Sequence, residues 1–160
     1  MKRGEKGFSL IELLLVVAII LIIAAIAVPR YLRARIAANQ ASAVESVRAI
    51  NEANITYSSD YGQGFAGTLL NLEPPSGGGQ PTFSAADLID NVLASGEKSG
   101  YTLTYSPGSP DSSGFYQDYT LNANPSRLNI TGNSYYYSDQ TFIIRTNATQ
   151  TATSVDAPLQ

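Results

Sequence analysis

The sequence predicts an α+β protein: one long N-terminal helix, apolar in its first half and amphipathic in its second, packed on a small antiparallel β-sheet. Three observations predict it. The run from Phe8 to Val28 is apolar almost throughout and carries a single charge, Glu12. Beyond it, Ile36, Ala43, Val47, Ile50, Asn54, Tyr57 and Tyr61 recur at three- and four-residue steps, the period of a helix with one buried stripe. After Gly100 the pattern turns to Tyr, Leu and Tyr alternating with Thr, the period of two that marks a half-buried strand.

The first half of the helix is the length of a membrane span. About 21 residues at about 1.5 Å rise cover roughly 32 Å, against about 30 Å for the hydrocarbon core of a bilayer. A carboxylate in such a segment costs roughly 2.5–3.5 kcal/mol at the membrane centre and less toward the interface. Glu12 therefore reads as a functional residue in need of a cationic partner. Lys2, Arg3 and Lys6 precede the run, and Arg30, Arg33 and Arg35 follow it. The two flanks balance, so charge counting leaves the orientation open.

Pro29 ends the apolar run and predicts a kink, because a proline inside a helix removes one hydrogen bond and crowds the preceding turn. Two separate helices joined at Pro29 are the alternative. The amphipathic half, 30–61, places Asn39, Gln40, Glu45, Arg48 and Glu52 opposite the apolar stripe. A helix that is apolar all round and later leaves lipid has to be covered by copies of itself.

Residues 62–79 read as loop, since Gly62, Gly64, Gly67, Pro74, Pro75 and Gly77 to Gly79 are breakers. The triple glycine lacks the following Lys-Ser/Thr of a phosphate cradle. A short helix is predicted to start at a Ser84 cap with Asp87 three residues on, to bury Leu88, Ile89, Val92 and Leu93, and to stop at Gly96. Strands are predicted at Tyr101 to Ser106 and Tyr116 to Ala123, with a last hairpin of Ser134 to Tyr137 and Thr141 to Arg145 turning at Ser138-Asp139-Gln140. Three or four antiparallel strands result. The tail, 147–160, is polar and is predicted to be poorly ordered.

Composition excludes several functions. The chain has 160 residues, a net charge of −3, no Cys and no His. Thiol chemistry, a Ser-His triad, a soft-metal centre and disulfides are thereby removed. No catalytic constellation is visible, so a tethered enzyme is the weakest reading, and no catalytic residue and no cofactor are assigned. After Arg48 the only basic residues are Lys98, Arg127 and Arg145, which is no footprint for nucleic acid. Asp111 and Asp118 flank a Ser/Gly-rich turn that could offer oxygen ligands to calcium, but two separated acids do not make a site, and no metal is assigned. Tyr135-Tyr136-Tyr137 reads as strand, with an adhesive surface as the alternative. Asn54, Asn129 and Asn147 each open an N-x-Thr triplet, a pattern that chance supplies readily in an Asn/Thr-rich chain.

Lys6-Gly7-Phe8-Ser9-Leu10-Ile11-Glu12-Leu13 resembles the class III signal of type IV pilins and pseudopilins. The resemblance covers about Lys2 to Val47 and implies a pilin-like fold. It also implies a leader, 1–7, cut by a membrane prepilin peptidase between Gly7 and Phe8, followed by N-methylation of Phe8. Glu12 falls where the family keeps a Glu thought to meet the N-terminal amine of a neighbouring subunit. An ordinary secretory signal would instead be cut after its apolar stretch. Cutting before the run keeps the greasy helix on the protein and exposes an α-amino group, mostly cationic at neutral pH, one helical turn from Glu12.

On this resemblance the chain divides into the leader, the transmembrane and assembly helix at 8–29, the amphipathic half at 30–61, a globular domain at 62–146 and the tail. The implied product is a structural subunit of a type IV pilus-like filament of identical copies. A pseudopilin of a type II secretion system is the alternative. The implied partners are prepilin peptidase, the inner-membrane assembly machinery and membrane lipid before assembly. The implied location is the inner membrane, single-pass with the N-terminus inside, then a surface pilus or a periplasmic pseudopilus.

Overall fold

The computed structural model describes residues 7–62 and 64–159. The chain divides into two compact units, Met1–Arg35 and Ile36–Gln160. Helix α1 runs as one element from Leu10 to Tyr61 with Pro29 inside it, so the two-helix alternative is set aside. Among the described residues of the first unit the 18-residue apolar window of the helix is not buried at all, and the helix is long and apolar enough to cross a membrane.

In the second unit α1 buries one stripe. Ala43, Val47, Ile50, Ala53, Asn54 and Tyr57 are all buried, at the spacing the sequence predicts. Asn39 and Gln40 do not lie on the solvent face as predicted. Asn39 donates to the Thr131 carbonyl at 2.8 Å and Gln40 to Ser134 Oγ at 3.0 Å. At that end of the stripe α1 meets polar loop groups, a backbone carbonyl and the side chains of Asn133 and Ser134, rather than apolar side chains, so amides suit it better than leucines.

The sheet has five antiparallel strands in sequence order: β1 Glu97–Lys98, β2 Tyr101–Pro107, β3 Tyr119–Pro125, β4 Tyr135–Asp139 and β5 Arg145–Asn147. The two long strands pair from Tyr101↔Pro125 to Pro107↔Tyr119. A proline thus closes the ladder at each end, where its missing N–H costs no central hydrogen bond. Tyr101 and Leu103 on β2, and Tyr119, Leu121 and Ala123 on β3, are buried in alternation and share one core with the α1 stripe. This is the α+β architecture that the periodicities predict, and it is pilin-like as the resemblance implies.

Several elements differ from expectation. The segment after Tyr61 is not all loop: Leu69–Leu72 forms a 3-10 helix that buries Leu69 and Leu72, and Ala66 beside it is fully buried. The glycines and prolines around it hid a short apolar anchor. The second helix, α2, is only Asn91–Ala94. Its cap is Asp90, whose Oδ1 accepts Leu93 N–H at 2.7 Å, not Ser84. Asp87 takes a positive φ of 56°, which ends any helix begun at Ser84, and Val92 is exposed rather than buried.

The last hairpin is also shifted. β4 continues through Ser138 and Asp139, and pairing to β5 runs from Tyr135↔Asn147 to Tyr137↔Arg145. The tail does not trail away. Asn122 Nδ2 donates to the Ala152 carbonyl at 2.8 Å, Thr146 N–H to Ala157 at 3.0 Å and Leu159 N–H to Ile144 at 2.8 Å. Ala152 is buried. On β4, Tyr136 is buried in the core, Tyr137 is buried as well and Tyr135 is half-buried, so the triplet is strand and two of its three side chains offer no adhesive face.

Candidate processing and assembly site

Gly7, Phe8 and Ser9 lie ahead of α1 in non-helical backbone, and Phe8 is 91% exposed. A Cβ added to Gly7 would meet nothing within 4 Å. Packing among the described residues therefore does not explain the glycine. Residues 1–6, with the basic Lys2, Arg3 and Lys6, lie outside the described residues.

The helix starts on a cap. Ser9 N–H donates to Glu12 Oε2 at 2.8 Å, and the Ser9 carbonyl accepts Leu13 N–H at 3.2 Å. The arrangement is half of a capping box, in which an acid three residues in reaches back to the N-cap backbone. Its carboxylate also sits at the positive end of the helix dipole. Sequence reasoning gave Ser9 no role, although Ser9-Leu10-Ile11-Glu12 is a capping-box pattern and the signal was present. A carboxylate in this place has one lone-pair direction tied to its own backbone and others open to a second donor. Its chemical competence is to bind a cation or an N–H.

Residues 2–28 match the model of the prokaryotic N-terminal methylation motif. The chain carries a class III prepilin signal. That signal is typical of type IV pilins and pseudopilins, a structural family, and it implies processing by prepilin peptidase and assembly into pili. Together with the apolar helix that follows, it points to membrane anchoring. No solved structure matches the chain.

The other sequence candidates do not come together with it. Asp111 is spent on its own loop: Oδ1 accepts Ser113 N–H at 2.8 Å and Phe115 N–H at 3.0 Å, and Oδ2 accepts Gln117 Nε2 at 2.9 Å. The Phe115 N–H, then Gln117 and Ser113, hold its carboxyl below the usual range. Asp118 lies over Gly108, where an added Cβ would fall 1.4 Å from Oδ1. No group of three or more His, Cys, Asp or Glu stands ready for a metal among the described residues. Asn54 is fully buried, which closes its Asn-Ile-Thr triplet to any modifying enzyme.

Proposed function

We propose that this chain is the structural subunit of a type IV pilus-like filament. It is cut between Gly7 and Phe8, N-methylated on Phe8, held N-in by the span 8–29, and then polymerised through that helix, which bends at Pro29. The observation that carries this reading is a prepilin signal set directly before a helix whose whole apolar window is uncovered. About 18 apolar side chains cannot stay in water, since each buried one is worth roughly 1.5–3 kcal/mol. Lipid covers them first and sister helices cover them later.

Two features of the site support the processing step. The Gly7–Phe8 bond precedes the first helical turn, so its carbonyl and N–H are not committed to the helix. The residue before the cut has no side chain to obstruct a peptidase. Cutting there leaves a cationic amine close to Glu12, and in the filament that carboxylate meets the amine of the next subunit. Removing one member of a buried ion pair costs roughly 3–5 kcal/mol, because the survivor is left unpaired. The pair therefore sets register between copies more than it adds net stability.

The test is Glu12→Ala. Processing and membrane insertion proceed, seen as a normal shift from precursor to mature size in the membrane fraction, while the yield of sheared fibres falls at least about tenfold, the effect of roughly 1.4 kcal/mol per contact. Normal fibre yield would contradict the pairing. Electron microscopy of surface fibres in a deletion strain separates a pilus from a secretion pseudopilus.

A further inference from the structure

The loop between β3 and β4 is built to display two apolar side chains. Asn129 N–H donates to the Gly132 carbonyl at 2.8 Å, Thr131 N–H to the Arg127 carbonyl at 2.9 Å, and Arg127 N–H to Thr131 Oγ1 at 3.0 Å. Asn129 takes a positive φ of 62° at the tip, and Gly132 is buried beneath Tyr101, whose hydroxyl would lie 2.1 Å from an added Cβ. The backbone is thus pinned from within. Leu128 and Ile130 nevertheless point away from the core, 46% and 56% exposed, beside an exposed Arg127.

The loop also has a defined place along α1. Going up the helix in the second unit, Asn39 bonds Thr131, Ser42 bonds Ser99, Asn51 bonds Ser138, Asn54 bonds Ala66, and Tyr57 bonds the Phe83 carbonyl. The 127–132 loop is therefore the part of the domain fastened nearest the start of the helix, and Phe83 lies toward its far end. Asn39 follows Val28 by eleven residues of chain, and Arg35, the last of the three arginines after the run, by four.

We propose that the Arg127–Gly132 loop is a lipid-contacting surface, with Leu128 and Ile130 seated in the headgroup zone of the bilayer and Arg127 against lipid phosphate, while the subunit is still membrane-held. The proposal rests on the reading that the apolar helix occupies lipid before assembly. Single exposed apolar residues are ordinary on any protein surface. Two on a rigid tip, with a cation beside them and a short chain distance to a membrane span, have the chemistry of an interfacial anchor. The contact would fix the tilt of the domain on the membrane and would have to be released on extraction into the filament.

The chain has no cysteine, so one nitroxide can be placed at a time on the full chain in vesicles of phosphatidylethanolamine and phosphatidylglycerol. Ile130→Cys reports the loop, Phe83→Cys is a control of equal exposure, and Ile20→Cys reports the span. Collision with a water-soluble nickel chelate is expected to be several-fold weaker at 130 than at 83, and collision with oxygen stronger. Equal nickel access at 130 and 83, with position 20 shielded, overturns the loop proposal and leaves the membrane span standing. Nickel access at position 20 overturns both.

Discussion

Asn54 sits in the middle of an apolar stripe with no exposed surface, and its hydrogen bonds explain why an amide is there. Nδ2 donates to the Ile50 carbonyl at 3.1 Å, while Oδ1 accepts Ala66 N–H at 3.1 Å. Both partners are backbone groups of fixed polarity, so the amide orientation is determined. Tyr105 OH lies 2.8 Å from the Ala66 carbonyl and 3.1 Å from Asn54 Oδ1. One side chain thereby ties α1 to the segment entering the 3-10 helix and to β2. Asn54→Leu keeps the branched shape but strands the buried Ala66 N–H, which costs about 1–3 kcal/mol. A denaturant midpoint unchanged from the parent would show that Asn54 does not carry this junction. Asn51 does the same one turn earlier, accepting from Tyr119 OH at 2.9 Å and donating to Ser138 Oγ at 2.8 Å.

At the scale of elements, β2 and β3 present buried tyrosines to α1, and that makes the sheet sensitive to alkali. Burial, then the neighbouring Tyr136, pushes Tyr101 up to about 12 from 10.0. Burial raises Tyr105 and Tyr119 further in the same direction, helped by Tyr119 beside the first and Asp139 beside the second. The unfolded chain then releases these protons at lower pH than the folded one. Stability is whole below pH about 10 and falls as pH rises toward about 12, because the unfolded state binds fewer protons there. The denaturant midpoint in detergent should hold to about pH 9 and drop by about pH 11, with part of the tyrosinate absorbance appearing only as the protein unfolds. Tyrosinate absorbance from all ten tyrosines complete near pH 10 in the folded protein would contradict the burial.

The same strands show what the sequence disclosed. Periodicity found α1 to the residue at Tyr61, and β2 and β3 to within three residues, because their buried faces repeat regularly. It missed the 3-10 helix at Leu69–Leu72, where two leucines among glycines make no period. It misplaced α2 because Ser84 and Asp90 both look like caps, and only the tertiary fold selects between them. It misjudged the tail because Asp156 and Asn147 hold it by polar contacts. Asp156 Oδ2 accepts Thr153 N–H at 2.7 Å, and Asn147 Nδ2 donates to Asp156 Oδ1 at 2.8 Å. Apolar patterning cannot register order of this kind. At the processing site the motif was legible in full, and the Ser9–Glu12 cap was readable but unread.

For the whole molecule, the two units face different solvents. The second unit has its own core, shared by α1, the 3-10 helix and the sheet. The described residues of the first form none, and its leucines and isoleucines, from Leu10 to Ile26, are largely exposed. A domain with its own core that carries a bare apolar rod is stable only where lipid or other copies cover the rod. On the proposed function the order of events is anchor, cut, pair, polymerise. The most direct test is mass spectrometry of the N-terminus of native material from sheared fibres. The account predicts a chain that begins at Phe8 and carries one methyl group on its amine. A chain that still begins at Met1, or that starts after Val28, would contradict it.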